Sequence, residues 1–390
     1  MIGDRTSKLH FSSIVVDTHS DSLGRVVKSG EDLGQETGTG HMDLPRMRAG
    51  NVTAQFFAAY IDPKYLDDGT AVKRVLRYVD ALKVLCEKYQ SEIELARTAK
   101  DVRRIVASGK LAGILCLEGG HAIEDDLAVL RQFHELGIRY MTLTHNNTNN
   151  WADGVLGEPR HDGLTDFGRD VVKEMDRIGM MVDISHVSVK TFWDVIETTS
   201  KPVIASHSSA WKICQNPRNM RDDQIRAVGE NGGVVCVNYE VTFVSNAYNQ
   251  ATADMGEKIS SELYEVPISS KSHDDTIAEL KNSKARKFEE SPESAQEIEE
   301  IYEGLIAAEH KRPYYTEIVD HIDHMVALAG IDHVGLGSDF DGARMPVGMD
   351  DCSKVPLITD ELVRRGYSDN DIKKVLGENV LRLMQNVLGN

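Results

Sequence analysis

The chain has 390 residues, of which 41% are hydrophobic, so it is long enough to bury a large core. Its 44 basic and 62 acidic residues give a formal net charge of -18, which argues against nucleic acid as a partner because phosphate would be repelled. The sequence contains no apolar segment long enough to predict a transmembrane helix or a C-terminal membrane anchor, so we expect a soluble protein.

Eight short runs rich in apolar and β-branched residues are bounded by turn signals and predict β-strands. In chain order, the predicted strands are Ile14–Asp17, Val52–Ile61, Gly113–Glu118, Ile138–His145, Met181–His186, Val203–His207, Gly233–Tyr239 and His333–Asp339. Helical stretches are predicted between them at Ala71–Leu85, Asp126–Leu136, Gly168–Ile178 and Asp222–Glu230. Eight buried strands that alternate with helices are typical of an α/β protein with a (β/α)₈ TIM barrel.

A barrel of this type needs about 250 residues, so residues 1–390 can form one domain with added segments. The main addition is a predicted insertion at residues 245–312. Its acidic tracts, Phe288–Ser291 and Glu297–Glu303, are typical of a solvated helix face. We therefore expect a single barrel domain that carries a charged helical insertion.

The cysteines indicate the redox compartment only weakly. There are five of them, none in CxxC spacing, at Cys86, Cys116, Cys214, Cys236 and Cys352. An odd count and mostly apolar or helical surroundings predict free core thiols, which suit a reducing compartment. Because Met1–Lys8 lacks the apolar core of a signal peptide, the cytoplasm is slightly favoured over a periplasmic or secreted location.

Metal-ligand residue types stand at the ends of the predicted strands. His19 and Asp21 follow the first strand, and because successive strand side chains alternate faces, these two point the same way. Glu118 ends the third strand, while His186 and His207 end the fifth and the sixth. The carboxyl ends of barrel strands surround one mouth, so these five residues can converge on a common point.

Imidazole nitrogens and carboxylate oxygens suit Zn²⁺, and Mn²⁺, Co²⁺ or Fe²⁺ accept the same donors. A catalytic zinc usually takes three protein ligands and keeps one position open, so five donors fit two ions, with Glu118 as the bridge. Each histidine taken alone is better explained as a hydrogen-bonded residue at a strand end. Their joint occurrence at one rim predicts a metal site.

At these residues the chain resembles the zinc-dependent membrane (renal) dipeptidases, peptidase family M19, within the amidohydrolase-like metal barrels. The resemblance runs nearly end to end, with residues 245–312 as the exception. Its most specific blocks are VVDTHSD at 15–21, LEGGHAI at 117–123, LTHNN at 143–147, VDISHVS at 182–188, PVIASHSS at 202–209, NPRNM at 216–220 and GSDFDG at 337–342.

The resemblance implies that one zinc is held by His19, Asp21 and Glu118, and the other by Glu118, His186 and His207. It also implies three substrate residues, with His145 near the reacting carbonyl, Arg218 on the peptide carboxylate and Asp339 on the free amine. The substrate would then be a small dipeptide with two free termini. Asp17 has two interpretations, either a carboxylate that orients His19 or a cap of the loop.

A hydroxide held between two divalent ions supplies a nucleophile at neutral pH, and one ion polarises the scissile carbonyl. A metal and His145 could then stabilise the negative charge that develops on the carbonyl oxygen. The departing amine needs a proton. Since Glu118 would ligate both ions, His145 and Asp339 are the favoured proton carriers.

The preferred hypothesis is therefore a binuclear zinc dipeptidase for L-Xaa-L-Xaa and, from the resemblance, L-Xaa-D-Xaa substrates. One alternative is a related amidohydrolase, such as an N-acyl-amino-acid deacylase or a lactonase. Another is a non-catalytic binding protein on the same barrel, which the loss of any metal ligand would have favoured. The preferred dipeptide, the metal used in the cell and the formation of a homo-oligomer stay open at this stage.

Overall fold

The computed structural model describes residues 2–254, 272–290 and 294–389. Within these ranges the sheet has nine strands and all their pairings are parallel. The strands are β1 Val16–Ser20, β2 Ala54–Tyr60, β3 Ile93–Leu95, β4 Leu111–Glu118, β5 Ile138–Thr142, β6 Met181–Asp183, β7 Ile204–Ala205, β8 Val234–Val237 and β9 Val334–Leu336.

Eight of these strands close into a barrel. The sheet order β2-β1-β9-β8-β7-β6-β5-β4 is closed by a further pairing between β2 and β4, in which Ala54 lies opposite Ala112. The predicted (β/α)₈ barrel is thereby confirmed. Strand β3 was not predicted; it pairs with the beginning of β4, and its three residues, two of them only half-buried, make no apolar run.

Helices lie between the strands, before β1 and after β9. They are α1 Asp4–Phe11, α2 Leu23–Ser29, α3 Leu44–Ala49, α4 Lys64–Asp67, α5 Ala71–Lys88, α6 Ala99–Ala107, α7 Leu127–Leu136, α8 Asp166–Ile178, α9 Val189–Thr198, α10 Asp222–Glu230, α11 Val241–Val244, α12 Asn246–Asp254, α13 His273–Glu290, α14 Ala295–Glu309, α15 Thr316–Ala329, α16 Pro356–Arg364, α17 Asp369–Lys373 and α18 Asn379–Leu388. The four helices predicted between strands are confirmed as α5, α7, α8 and α10, within a few residues at their ends.

Several strands end earlier than the sequence analysis predicted. Strand β6 ends at Asp183 rather than His186, and β9 ends at Leu336 rather than Asp339. His186 and Asp339 have φ angles of 66° and 64°, and because this left-handed conformation cannot continue a strand, neither residue can belong to the strand before it. The polar residues predicted to end these strands therefore lie in the loops that follow them.

The inside of the barrel is filled by side chains. Alternate strand residues such as Val16, Phe56, Ile114 and Tyr140 form one buried cluster, as expected for a two-residue period. The apolar face of helix α18 packs against this cluster. With its interior filled, the barrel is a packed core, and a binding site has to be built from the loops at its carboxyl end.

The described parts of the predicted insertion are helical, as expected, and comprise α12, α13 and α14. Residues 255–271 and 291–293 lie outside the described residues, and the tract Phe288–Ser291 falls partly on them. The helices share a small core that includes Tyr248 and Leu280. The buried carboxylate of Glu309 lies 2.7 Å from Arg312 and 3.5 Å from Arg344, which belongs to the loop after β9. The assignment of residues 1–390 to one domain stays a prediction.

All five cysteines are free, as predicted; four are buried and Cys86 is half-buried. Burial raises the pKa of the Cys86 thiol to about 12, so it is protonated at neutral pH and reacts slowly. No helix among the described residues combines the length and the apolar character needed to cross a membrane.

Candidate active site

The loops at the carboxyl end of the barrel enclose a cavity of about 440 Å³, a size typical of small-molecule sites. Six of the eight predicted site residues line it, namely Asp21, Glu118, His145, His186, Arg218 and Asp339. The other two, His19 and His207, are buried next to Glu118. The structure thus brings together all eight residues, from the carboxyl ends of the strands and the loops that follow them.

Glu118 occupies the centre of this group. One of its carboxylate oxygens lies 3.0 Å from Nε2 of His186 and 3.3 Å from Nε2 of His207. The other oxygen lies 3.6 Å from Nε2 of His19. Each oxygen therefore faces a different part of the cluster, as a carboxylate that bridges two cations would.

His19 also lies close to two other carboxylates. Its Nε2 atom is 3.6 Å from Asp21 and 3.9 Å from Asp339. It is buried and has no hydrogen-bond partner among the described residues. A buried polar atom without a partner is costly, and a cation held with these carboxylates would satisfy it.

In each of the three ligand-type histidines, the hydrogen-bond partner of Nδ1 shows which of the two ring nitrogens carries the proton. The Tyr140 hydroxyl donates to the Thr18 carbonyl, so Nδ1 of His19, 2.8 Å away, has to donate to that hydroxyl. Nδ1 of His186 donates to the amide oxygen of Asn146 at 2.9 Å. Nδ1 of His207 donates to the Ser206 hydroxyl at 2.7 Å.

With their protons on Nδ1, the neutral imidazoles of His186 and His207 present a lone pair at Nε2 toward Glu118, and His19 would do the same once a cation displaced its Nε2 proton. The Nε2 atoms of His186 and His207 are only 2.8 Å apart, and two facing lone pairs repel each other unless a cation or a proton lies between them. The nitrogen and carboxylate donors form three overlapping groups, each within 4.8 Å, made of His19, Glu118 and His207; Glu118, His145 and His186; and His19, Asp21 and Asp339. This donor set fits divalent transition metals.

The ionisable side chains of the site strongly shift one another's pKa values. Burial lowers the pKa of His19, but the carboxylates of Glu118 and Asp21 outweigh it and hold that pKa well above its ordinary value. Burial raises the pKa of Glu118, yet the positive charge on His19 holds it well below its usual range. Burial lowers the pKa of His186 and His207, which are therefore neutral at pH 7, as metal ligands must be.

Arg218 is a buried cation on the loop after β7. Its guanidinium donates to the carbonyl of His207 at 3.1 Å and lies 5.3 Å from the ring centre of Phe243. Within the described ranges it forms no ion pair with a carboxylate, and its Nε–H has no acceptor. Burial lowers its pKa to about 10, so it stays charged at neutral pH and can bind an anion in the cavity.

Asp339 lies on the loop after β9, where the backbone is held in an unusual shape. Its left-handed φ, like that of His186, costs about 1–3 kcal/mol in a residue other than glycine. A Cβ atom at Gly342 would come within 2.1 Å of Asp21 and 2.7 Å of Asp339, so glycine is needed there for the two carboxylates to approach the loop. Asn238 donates to Asp339 at 2.9 Å, and burial raises the pKa of Asp339 to about 6.

Sequence analysis did not identify the residues that support the histidines, namely Tyr140, Asn146, Asp183 and Ser206. Of the two interpretations of Asp17, the structure favours the cap. Its carboxylate accepts hydrogen bonds from the backbone N–H and the hydroxyl of Ser338, at 2.8 and 2.5 Å, and it contacts only the backbone of His19. The only sequence signal for the support of His207 is that Ser206 precedes it directly.

Comparisons with known proteins agree with this geometry. The family profile described as membrane dipeptidase (peptidase family M19) matches residues 3–389. The dipeptidase verJ of Clonostachys rogersoniana is 33% identical over 362 residues, which cover 89% of this chain and 76% of that protein.

Two solved structures are similar over nearly the whole chain. The dipeptidase AC, a metallopeptidase of family M19, is 26% identical with a TM-score of 0.76, over 97% of this chain and all of that chain. A metallopeptidase from Rhodobacter sphaeroides, solved with a phosphinate mimic of the dipeptide L-Ala-D-Ala, is 25% identical with a TM-score of 0.74, over 96% of this chain and all of that one. From the profile match and these relatives, the chain belongs to the membrane dipeptidase family M19 and is a metal-dependent dipeptidase.

Proposed function

We propose that the chain is a binuclear zinc dipeptidase that holds both charged ends of its substrate. The observation that carries this proposal is a cavity in which a buried cation, Arg218, and a half-buried carboxylate, Asp339, accompany a cluster of five metal-ligand side chains. A dipeptide with free termini has one negative and one positive end, which match these two groups. The small-peptide substrates of the family agree with a cavity of this size.

In this proposal His19, Asp21 and Glu118 hold one zinc ion, and Glu118, His186 and His207 hold the other. The two oxygens of Glu118 face different histidines, which supports a bridging role. When bound, the ions would lower the pKa of water enough to supply a nucleophile near pH 7 and would polarise the scissile carbonyl. Mn²⁺, Co²⁺ or Fe²⁺ could replace zinc because they accept the same donors.

The chain's own residues position the peptide and handle its protons. Arg218 binds the terminal carboxylate and Asp339 accepts hydrogen bonds from the terminal ammonium. His145 lies with its ring 4.5 Å from that of His186, and burial lowers its pKa, so its neutral ring can donate a hydrogen bond to the carbonyl oxygen of the substrate.

Asp339 or His145 accepts the proton that the attacking water releases and passes it to the departing amine. The raised pKa of Asp339, about 6, lets its carboxyl group accept and release a proton close to neutral pH, which favours this residue. Glu118 is a poorer carrier because the positive charge on His19 holds its pKa well below the usual range.

We expect the enzyme to select substrates by length and by their two free ends. L-Ala-L-Ala and L-Ala-D-Ala should both be hydrolysed, the second because the Rhodobacter relative was solved with a mimic of that dipeptide. Tri-alanine and N-acetyl-L-Ala-L-Ala should show a kcat/KM on the order of a hundredfold lower, since each leaves one buried charge unpaired. Steady-state kinetics of the zinc-loaded enzyme measure this difference.

Comparable hydrolysis of the tripeptide, the acetylated compound and the dipeptides would reject the contact at both ends. A strong preference for the acetylated compound would instead identify an N-acyl-amino-acid deacylase. A failure confined to L-Ala-D-Ala would leave the two-ended contact in place and restrict the enzyme to L-residues.

A further inference from the structure

A hydrogen-bonded chain lies behind His207, on the side away from Glu118. Nδ1 of His207 donates to the Ser206 hydroxyl at 2.7 Å, and that hydroxyl donates to Oδ2 of Asp183 at 2.6 Å. All three residues are buried. Asp183 ends β6 and Ser206 follows β7, so the chain connects two neighbouring barrel strands.

Asp183 is fixed in place by hydrogen bonds to both of its carboxyl oxygens. Its Oδ1 accepts from the backbone N–H groups of Ser185 and Ser206 at 3.0 and 2.9 Å. Its Oδ2 accepts from the Thr142 hydroxyl at 2.5 Å in addition to Ser206. No cation of the described residues forms an ion pair with it. A buried carboxyl group that accepts four hydrogen bonds has a fixed orientation, and it fixes the orientation of the Ser206 hydroxyl in turn.

The supports of the other two histidines differ from this one. His19 is backed by the Tyr140 hydroxyl, which donates to a backbone carbonyl, and His186 is backed by the amide of Asn146. Among the three, the chain of His207 is the one that ends on a carboxylate. Such a carboxylate stabilises the tautomer with the proton on Nδ1 and makes the opposite nitrogen a better donor to a metal.

We infer that Ser206 and Asp183 are positioning residues that fix the Nδ1–H tautomer of His207 and thereby direct its Nε2 lone pair at a metal ion. This inference rests on the proposed function, in which His207 is a ligand. Neither residue touches the substrate. Their role is to raise the affinity of the metal position that contains His207, and their loss should lower metal occupancy before it disturbs the fold.

The test uses the full-length chain with Ser206→Ala and Asp183→Asn, and it measures zinc dissociation constants by competition with a chelator. Both variants should bind one of the two zinc ions about 10 to 100 times less tightly, the range typical of such supporting residues. Ser13→Ala is the matched control, because it also removes a buried serine hydroxyl that donates a hydrogen bond, in this case to the backbone carbonyl of Leu9, away from the site. Its zinc affinities should equal those of the unchanged protein.

A second measurement is independent of bound metal and of activity. In ¹⁵N-histidine spectra of chelator-treated protein, His207 should carry its proton on Nδ1, and Ser206→Ala should shift part of the population to the Nε2–H tautomer. An Nε2–H tautomer in the unchanged protein, or unchanged zinc affinity in Ser206→Ala, would overturn the inference. Should Asp183→Asn fail to fold, Ser206→Ala decides alone. Should the unchanged protein bind no zinc at all, the proposed function fails, and the tautomer spectra still decide the positioning role.

Discussion

Replacing Glu118 with glutamine will remove at least one bound metal ion and lower kcat by a factor on the order of 10³ or more. Its two oxygens face different histidines, at 3.0 and 3.3 Å on one side and 3.6 Å on the other. Glutamine keeps one oxygen but replaces the second with an NH₂ group, which is a donor and cannot ligate a cation. Kinetics and metal analysis of the same zinc-treated samples measure the two effects together.

The matched control is Glu135→Gln, which makes the same chemical change at an exposed position on α7 and should leave metal content and rate unchanged. A Glu118→Gln enzyme that keeps two zinc ions and turns over within about threefold of the unchanged enzyme would show that Glu118 does not bridge. The bridging assignment would then have to be abandoned.

Replacing Arg218 with methionine should lower kcat/KM for L-Ala-L-Ala on the order of a hundredfold, because the peptide carboxylate loses its partner in a desolvated cavity. Amidating the substrate should have the same effect on the unchanged enzyme. In the variant, amidation should make little further difference, because the two changes remove one and the same contact. Steady-state rates for the four combinations of enzyme and substrate measure this coupling.

The fold of the variant can be checked separately. Burial lowers the pKa of Arg218 to about 10, which shows that the protein environment disfavours its charge, so methionine should leave the thermal unfolding midpoint unchanged or higher. Arg226→Met, at an exposed position on α10, is the control for a charge change alone. If the unchanged enzyme cleaved free and amidated dipeptides equally well, Arg218 could not bind the carboxylate.

The barrel could be predicted because buried parallel strands appear in sequence as short apolar runs, and each of the eight runs marked a real strand. Their ends could not be predicted, because nothing in the sequence shows that His186 and Asp339 adopt a left-handed backbone conformation. Strand β3 was missed for a local reason, since two of its three side chains are half-buried and give no pattern.

The convergence of His19, Asp21, Glu118, His186 and His207 could be predicted, because barrel closure brings strand ends to one mouth whatever their separation in sequence. The groups behind them could not, because Tyr140 and Asp183 lie on strands whose side chains look like ordinary core residues in the sequence. Their function depends on which atom faces which histidine nitrogen. The sequence does not give these contacts, because they are set by the register between neighbouring strands.

The measurement that tests the central claim most directly is the metal content of the purified chain after zinc reconstitution and removal of loosely bound ions. Five donor residues with Glu118 at their centre predict two zinc ions per chain, with hydrolysis of L-Ala-L-Ala rising in parallel with the ions bound. Full activity with a reproducible content of one ion, or of none, would contradict the binuclear site.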